Sequence, residues 1–305
     1  MLPVIILMVN YNSWEDCIEC INSIFSSSYK NFYIVLVDNN SPDSSFEMLK
    51  GWMLKKMPND HEVYYDSPDV SYNPQKRITL IKAEYNGGFA YGNNVFLKKI
   101  SKDLIIDPLI YLLNPDTIIK SDTLEILVNS IQNLGIKTVV LGSTLRSYYK
   151  PEQIISLGCA KVNLLTGTIR QVLSEKEVNE ADYIHGGSFL TYLSSFQKVG
   201  YFSEEFFLYW EETNWCKKAK MLGFKLLVES KSVVYDKVGG AIGRGYLAEY
   251  YYSKNALQYV KSVKKIYVIT TLSFNLLRFF KRIFSRELLR AKAILDASID
   301  FSVGK

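Results

Sequence analysis

The sequence predicts an α/β fold built on a mostly parallel sheet, and three observations predict it. Short apolar runs without alternation recur at 4–9, 32–37, 78–81 and 109–113, the pattern of strands covered on both faces. Each run leads to a polar cluster: Asn10-Tyr11-Asn12-Ser13, Asp38-Asn39-Asn40-Ser41-Pro42-Asp43, Asn86-Gly87-Gly88 and Asn114-Pro115-Asp116. Stretches of helical periodicity lie between runs, which makes βαβ units and therefore parallel neighbours. A chain of 305 residues, 48% hydrophobic and 22% charged, is long enough to bury one large core of this kind.

The first run leads into a helix from Trp14 to Phe25, with Ser13 as N-cap and Glu15 and Asp16 in the first turn, where the dipole favours acids. Ile18, Ile21, Ile24 and Phe25 form its apolar face. Residues 58–76 are polar with three prolines and read as a surface excursion, in which His61 is inert. The third run enters the Asn86-Gly87-Gly88-Phe89 turn and a helix to about Ile100. The central run, Leu109 to Leu113, must stop near Pro115, which cannot donate to a ladder. A helix over 121–134 and a strand over 138–143 follow. Residues 150–182 read as irregular, with short β-like pieces around Gly158 and Thr166-Gly167-Thr168.

His185-Gly186-Gly187 is a turn entering a strand, and an aromatic run from Tyr201 delivers Glu211 and Glu212 to the start of a helix that ends at Gly223. Two strands, 225–228 and 232–235, end at Asp236 and a glycine-rich run to Gly245 that reads as a mobile loop closing over a ligand. The chain is helical from Ala248 onward.

Charge is unevenly placed. Between Lys254 and Lys292 ten lysines and arginines face one acid, Glu287, so the net charge of +5 belongs to the tail and the rest is mildly acidic. Residues 266–277 are uncharged, too short to span a bilayer, and flanked by Lys264, Lys265, Arg278, Lys281 and Arg282. That is a basic amphipathic helix, which either lies on an anionic membrane surface or packs on its own domain. Basic charge confined to an aliphatic tail speaks against a nucleic-acid partner. Cys17 and Cys20 form a C-x-x-C, but with no second Cys or His cluster beside it they read as helix-face thiols. Met1-Leu2-Pro3 lacks a basic lead and the first apolar run ends at Asn10, so no signal peptide and a cytoplasmic location are expected.

Several clusters carry chemistry. Asp116 falls at the carboxyl edge of the sheet, where open α/β folds bind ligands; it suits a hard divalent cation held against a phosphate, or simply closes an Asx-Pro turn. Gly87 and Gly88 at a strand-to-helix turn permit close backbone approach to a phosphate or sugar, or serve the turn alone, and the G-x-G-x-x-G fingerprint is absent. Glu211 and Glu212 read as proton acceptors under aromatic cover, or as acids stabilising a helix N-terminus. His185 beside its glycines is either a structural or a site histidine.

In order and spacing, Asn10-Tyr11-Asn12, Asn86-Gly87-Gly88-Phe89-Ala90, Asn114-Pro115-Asp116 and Tyr209-Trp210-Glu211-Glu212 together resemble family 2 of the inverting, nucleotide-sugar-dependent glycosyltransferases, most of all its rhamnosyltransferase-like branch. The resemblance implies a GT-A fold over 1–250, with a nucleotide-binding half at about 1–143 and an acceptor-binding half at about 144–250, followed by a helical basic region at 251–305. It implies that Asn10, Tyr11, Asn12, Asp38 and Asn39 hold the nucleoside. Asn86, Gly87, Gly88, Phe89, Asn93, Asn94, Asn114, His185, Gly186 and Gly187 would line the nucleotide sugar. Asp116, with Asp236, would carry Mg²⁺ or Mn²⁺, Glu212 would be the base, Glu211 a donor-sugar or orienting contact, and Tyr209 and Trp210 acceptor contacts.

The implied donor is a dTDP- or UDP-linked hexose such as rhamnose, and the implied acceptor a glycan, including a lipid-linked one, in bacterial surface polysaccharide assembly. The enzyme would then sit at the inner face of the cell membrane, with a homo-oligomer left open. Three positions depart from the family pattern: Glu212 where Asp is usual, Asp236 where His is common, and Lys254 for Arg. They leave a second reading, a non-catalytic sugar- or nucleotide-binding scaffold that keeps the fold.

Overall fold

The computed structural model describes residues 1–67, 72, 75–100, 106–237 and 245–304. In chain order the elements are β1 (Val4–Asn10), α1 (Trp14–Phe25), β2 (Phe32–Asp38), α2 (Ser45–Lys56), β3 (His61–Tyr65), β4 (Ile78–Lys82), α3 (Gly88–Leu97), β5 (Leu109–Leu113), β6 (Thr117–Ile119), α4 (Thr123–Asn133) and β7 (Val139–Ser147). They continue with β8 (Ile154–Ser156), β9 (Cys159–Asn163), β10 (Thr168–Gln171), β11 (Tyr183–Ile184), β12 (Ser188–Tyr192), α5 (Leu193–Val199), α6 (Glu211–Met221) and β13 (Lys225–Asp236). Three C-terminal helices close the chain: α7 (Tyr246–Lys264), α8 (Val268–Phe284) and α9 (Leu288–Val303).

The main sheet runs β3-β4-β2-β1-β5-β12-β7-β13-β6, with β8 paired to β7. Strands β3, β4, β2, β1 and β5 are parallel, β12 runs against both its neighbours, and β13 is again parallel to β7. Alternate residues of the buried strands face opposite layers. Val4, Ile6 and Met8 pack with Ile21, Ile24, Leu49 and Leu127 under α1, α2 and α4. Ile5 and Leu7 pack with Val95, Phe96, Phe196 and Trp215 under α3, α5 and α6. Both faces are therefore covered, which is why these strands read as continuous apolar runs.

Three expectations are corrected, and one helix is unexpected. Residues 61–65, read within a surface excursion, form the edge strand β3, which pairs only with β4 and stays half-buried. Helix α2 carries no clear apolar stripe and escapes a periodicity reading. The two strands expected near 225–235 are one, β13, kinked by a bulge between Glu229 and Val233. The stretch 150–182 holds β8, and its β9 and β10 join β11 in a small antiparallel sheet. The glycine-rich loop expected before α7 lies outside the described residues, apart from Gly245 at the helix cap.

Helices α7, α8 and α9 pack against one another, and a third apolar cluster of Phe206, Trp210, Ala256 and Tyr259 fastens α7 to the rest. Helix α8 is turned inside out. Thr271 and Asn275 are buried, and Arg278 and Arg282 reach inward to Glu249, while Ile269, Leu276, Leu277, Phe280 and Phe284 face solvent. The basic tail thus spends part of its charge inside the protein, and the apolar side looks out. No helix among the described residues is long and apolar enough to cross a membrane.

Candidate active site

The order of the main sheet reverses between β1 and β5: β2, β4 and β3 extend to one side of β1, and β5 lies on the other. Such a point opens a crevice at the carboxyl ends of the strands. Asn10 and Asp38 face each other there in register, both fully buried. The Asn10 amide donates to Asp38 Oδ2 at 2.7 Å, and Ser41 donates to Asp38 through its backbone N–H at 3.0 Å and its hydroxyl at 2.7 Å. Asn12 and Asn40 both take left-handed backbone, with φ of 55° and 54°, and the Asn12 N–H donates to the Ser41 hydroxyl at 3.0 Å. Ser41, which sequence reasoning left among turn residues, is the pin that joins these two strand ends.

The glycine turn is built from the same edge. Asn39 donates to Asn86 Oδ1 at 2.9 Å and to the Gly88 carbonyl at 3.0 Å, while its own side-chain Oδ1 is buried with no partner. Gly88 has φ +83°, and the Phe89 N–H donates to the Phe207 carbonyl at 3.0 Å. Asn93 donates to the Phe89 carbonyl at 2.9 Å. Asn94 faces the other way, clamping Phe202 and Glu204 with its amide at 2.9 and 2.7 Å, so its hydrogen bonds are structural.

The residues that bring the site together meet at Gly186 and Gly187. A β-carbon on Gly186 would lie 3.5 Å from both Glu212 Oε1 and the Phe89 ring, and one on Gly187 would lie 3.3 Å from the Asn114 amide. The expected base, the glycine turn and the end of the central strand thus share one small space. Glu211 is buried and Glu212 half-buried, and an Oε2 atom of each is buried without a hydrogen-bond partner. Burial raises the Glu211 carboxyl well above its ordinary range, with the Glu212 charge adding to it. Burial raises Glu212 as well, against backbone N–H groups at Glu212, Gly186 and Thr213 that favour its ionised form.

The acids are delivered by two successive non-glycine residues in left-handed backbone, Tyr209 at φ 64° and Trp210 at φ 77°. Strain of this kind persists where surrounding structure enforces it. Asn255 of α7 supplies that, donating to the carbonyls of Leu208 at 2.8 Å and Tyr209 at 3.2 Å, and the Trp210 indole donates to the Tyr252 carbonyl at 3.1 Å. Trp210, expected to meet the acceptor, is 1% exposed and packed in the α7 cluster, so its ring holds the turn instead. Asn255 escaped sequence reasoning because its contacts span about 46 residues.

Asp116 lies in the turn just before β6, and Asp236 ends β13, which pairs with β6. Asp236 pairs with Thr117, and the Lys237 N–H donates to the Asp116 carbonyl at 3.1 Å. The Lys237 ammonium binds Asp16 at 2.5 Å and Glu19 at 2.6 Å, tying this edge to α1. No group of three or more His, Cys, Asp or Glu among the described residues is placed to hold a metal ion. Carboxylate oxygens of this kind are the donors a hard divalent cation takes, with phosphate oxygens able to complete its shell. The nearby thiols do not compete: burial raises Cys17 well above its usual value and pushes Cys20 up to about 12, and all four cysteines are free and buried.

His185 sits on the rim with its Nε2 3.0 Å from Gln171 Oε1, and burial pushes its imidazole down to about 4, so it is neutral at physiological pH. Half-buried Tyr11 follows Asn10 at the end of β1.

With this geometry in hand, comparison with known proteins places the chain. It belongs to glycosyl transferase family 2, whose model matches residues 5–176. It is 25% identical over 221 residues to the low-salt glycan biosynthesis hexosyltransferase Agl10 of Haloferax volcanii, across 70% of this chain and 61% of that protein. The chain therefore spans about three fifths of that curated relative. The mannosyltransferase PcManGT of Pyrobaculum calidifontis, solved with GDP-Man and Mn²⁺, superposes with a TM-score of 0.58 at 16% identity over 98% of this chain and 75% of its own. TarS 1–349 of S. aureus, solved with UDP-GlcNAc, gives 0.57 at 17% identity over 98% and 80%. The fold is GT-A, with a C-terminal helical region added.

Proposed function

We propose that this chain is an inverting glycosyltransferase that moves a hexose from a nucleoside-diphosphate donor, dTDP- or UDP-linked, to a hydroxyl of a glycan acceptor in bacterial surface polysaccharide assembly. The observation that carries this reading is the meeting of Glu212, Phe89 and Asn114 at the Gly186-Gly187 turn, over the switch point of the sheet. Inversion needs a base facing the attacking hydroxyl and charge stabilisation on the opposite, leaving-group side. Glu212 takes the proton. Burial raises both carboxyls, Glu211 well above its ordinary range, and backbone N–H groups favour the ionised form of Glu212. The unpartnered side-chain Oδ1 of Asn39 and the left-handed turns at Asn12 and Asn40 offer polar contacts for the nucleoside.

Asp116 and Asp236 would hold Mg²⁺ or Mn²⁺, which when bound offsets charge on the departing diphosphate. Tyr209 flanks the acceptor side. The outward apolar face of α8, rimmed by Lys264, Lys265, Lys281 and Arg286, suits peripheral attachment to the inner face of an anionic membrane, where a lipid-linked acceptor would be met.

Calorimetric titration with UDP and with dTDP, each with and without Mn²⁺ or Mg²⁺, tests the donor site in wild type and Asp116→Ala. Metal-dependent binding of one nucleotide that Asp116→Ala abolishes is the expected result. No binding of either nucleotide under any metal condition would remove the assigned roles of Asp38 and Asp116.

A further inference from the structure

Beside Tyr209, two residues before Glu211, lies a cavity of about 280 Å³ lined by Glu249, Tyr252, Arg278, Arg282 and Arg290. This is at the small end for a ligand site, sized for one anionic group with part of a sugar rather than for a whole nucleotide sugar. Glu249 is 6% exposed and receives all three guanidiniums: Arg278, Arg282 at 3.2 Å and Arg290 at 2.7 Å. Glu287 binds Arg282 at 2.7 Å and Arg290 at 2.9 Å from the rim. Asp296 and Asp300 are engaged by the Tyr246 and Tyr250 hydroxyls. Three arginines therefore share two carboxylates, leaving an excess positive charge in a partly buried pocket. A guanidinium offers about five N–H donors, so the carboxylates use only part of the supply.

The cavity has a direction. Tyr209 lines the cavity and sits two residues before Glu211; burial raises its phenol, and the charges of Glu211, Glu212 and Glu249 add to the rise. Arg278 and Arg282 come from the inner face of α8, whose outer face is apolar and exposed. A group bound here would lie between the catalytic acids and that outer face.

We propose that this arginine cavity binds the phosphate or diphosphate of the acceptor, so that the acceptor is a glycan carried on a phosphate-linked lipid. The inference rests on the glycosyltransferase reading and names its acceptor class. Guanidiniums suit phosphate oxygens through paired N–H contacts, and a phosphate here answers the excess charge that Glu249 and Glu287 leave. Glu249 holds the arginine fan open in the absence of the phosphate.

Inorganic pyrophosphate is titrated into the full-length protein with the donor site saturated by nucleotide and metal. Binding is expected, about tenfold weaker in Arg282→Gln and in Arg290→Gln, and tighter in Glu249→Gln, which removes the competing carboxylate. Because any of these changes can loosen the helical region, thermal unfolding is followed alongside: pyrophosphate should stabilise Glu249→Gln more than wild type. Pyrophosphate binding that ignores all three substitutions overturns the proposal, as does no binding. Phosphatidylcholine vesicles doped with a polyprenyl diphosphate should then be bound in an arginine-dependent way, more tightly than vesicles doped with phosphatidylglycerol. Equal arginine-dependent binding of both overturns the assignment to the acceptor. If nucleotide and metal fail to bind at all, it is the transferase reading that fails, whatever pyrophosphate does.

Discussion

Gly88 stands directly against the backbone of Phe207: a β-carbon on Gly88 would lie 1.8 Å from the Phe207 carbonyl oxygen. The next residue, Phe89, donates its N–H to that same carbonyl at 3.0 Å. The turn expected to face the donor and the turn that delivers Glu211 and Glu212 are thus joined at one atom. On the proposed reading, donor binding and placement of the base would be parts of one arrangement.

This contact gives the first prediction. Gly88→Ala meets both an oxygen within covalent range and a φ of +83°, so the turn must separate from Phe207. A loss of about 2 kcal/mol or more in stability is expected, together with loss of nucleotide binding. Chemical denaturation and calorimetry read the two effects, and a variant of wild-type stability that binds nucleotide normally would contradict the linkage.

Asn255 sets the second. Its 1% exposed amide holds the carbonyls of Leu208 and Tyr209 on the strained turn. Asn255→Ala leaves those carbonyls without their donor, at a cost of about 1–3 kcal/mol, and frees the carboxylates to shift. A shift of about 1 Å in a reacting group can cost about 10²-fold in rate. The expected signature is a fall in kcat with little change in donor KM, which steady-state kinetics would show.

What the sequence made legible here, and what it did not, follows from the range of each interaction. Asn114-Pro115-Asp116 and the Gly87-Gly88 turn announce themselves because Pro and Gly act on their own backbone, and parallel strands write apolar runs. The edge strand at His61–Tyr65 and the small sheet of β9, β10 and β11 lack that signal, since β3 is only half-buried and β9 and β10 carry exposed polar residues at Asn163 and Arg170. The burial of Trp210 could not be read either: an aromatic beside two acids fits sugar stacking as well as packing, and only α7 arriving from 49 positions later, at Tyr259, decides it. For the basic tail, composition counted the charges but could not reveal that Arg278, Arg282 and Arg290 point inward to Glu249.

Acidity of the paired glutamates gives the third prediction. A carboxyl whose pKa is higher in the folded chain than in the unfolded one keeps more protons when folded. Its stabilising effect is greatest below the unfolded value, and stability then falls as pH rises toward the folded one. Glu211 and Glu212 are both raised by burial, so the protein should lose stability on going from mildly acidic to neutral pH through this pair. Glu211→Gln removes one of the two rises; it should flatten that slope and lift the unfolding midpoint at neutral pH by roughly 2–4 °C, the effect of about 1 kcal/mol. Glu212→Gln should abolish turnover while sparing nucleotide binding, and the wild-type rate should climb with pH through a value above the ordinary carboxylate range.

The outward face of α8 gives the last. Phe280 is 47% and Phe284 84% exposed, and Leu276 and Leu277 are each more than half exposed on the same helix. On the proposed reading this apolar face and its basic rim would meet an anionic membrane surface. Changing Phe280 and Phe284 together to Ser removes apolar area that touches solvent more than core, so folding and nucleotide affinity should hold. Co-sedimentation with vesicles containing phosphatidylglycerol should fall by about tenfold or more, since each buried aromatic contributes roughly 1.5–3 kcal/mol. Raising salt should weaken wild-type binding, because Lys264, Lys265, Lys281 and Arg286 are exposed and screened. Binding that is insensitive to both the double substitution and salt would mean that α8 faces something other than a membrane.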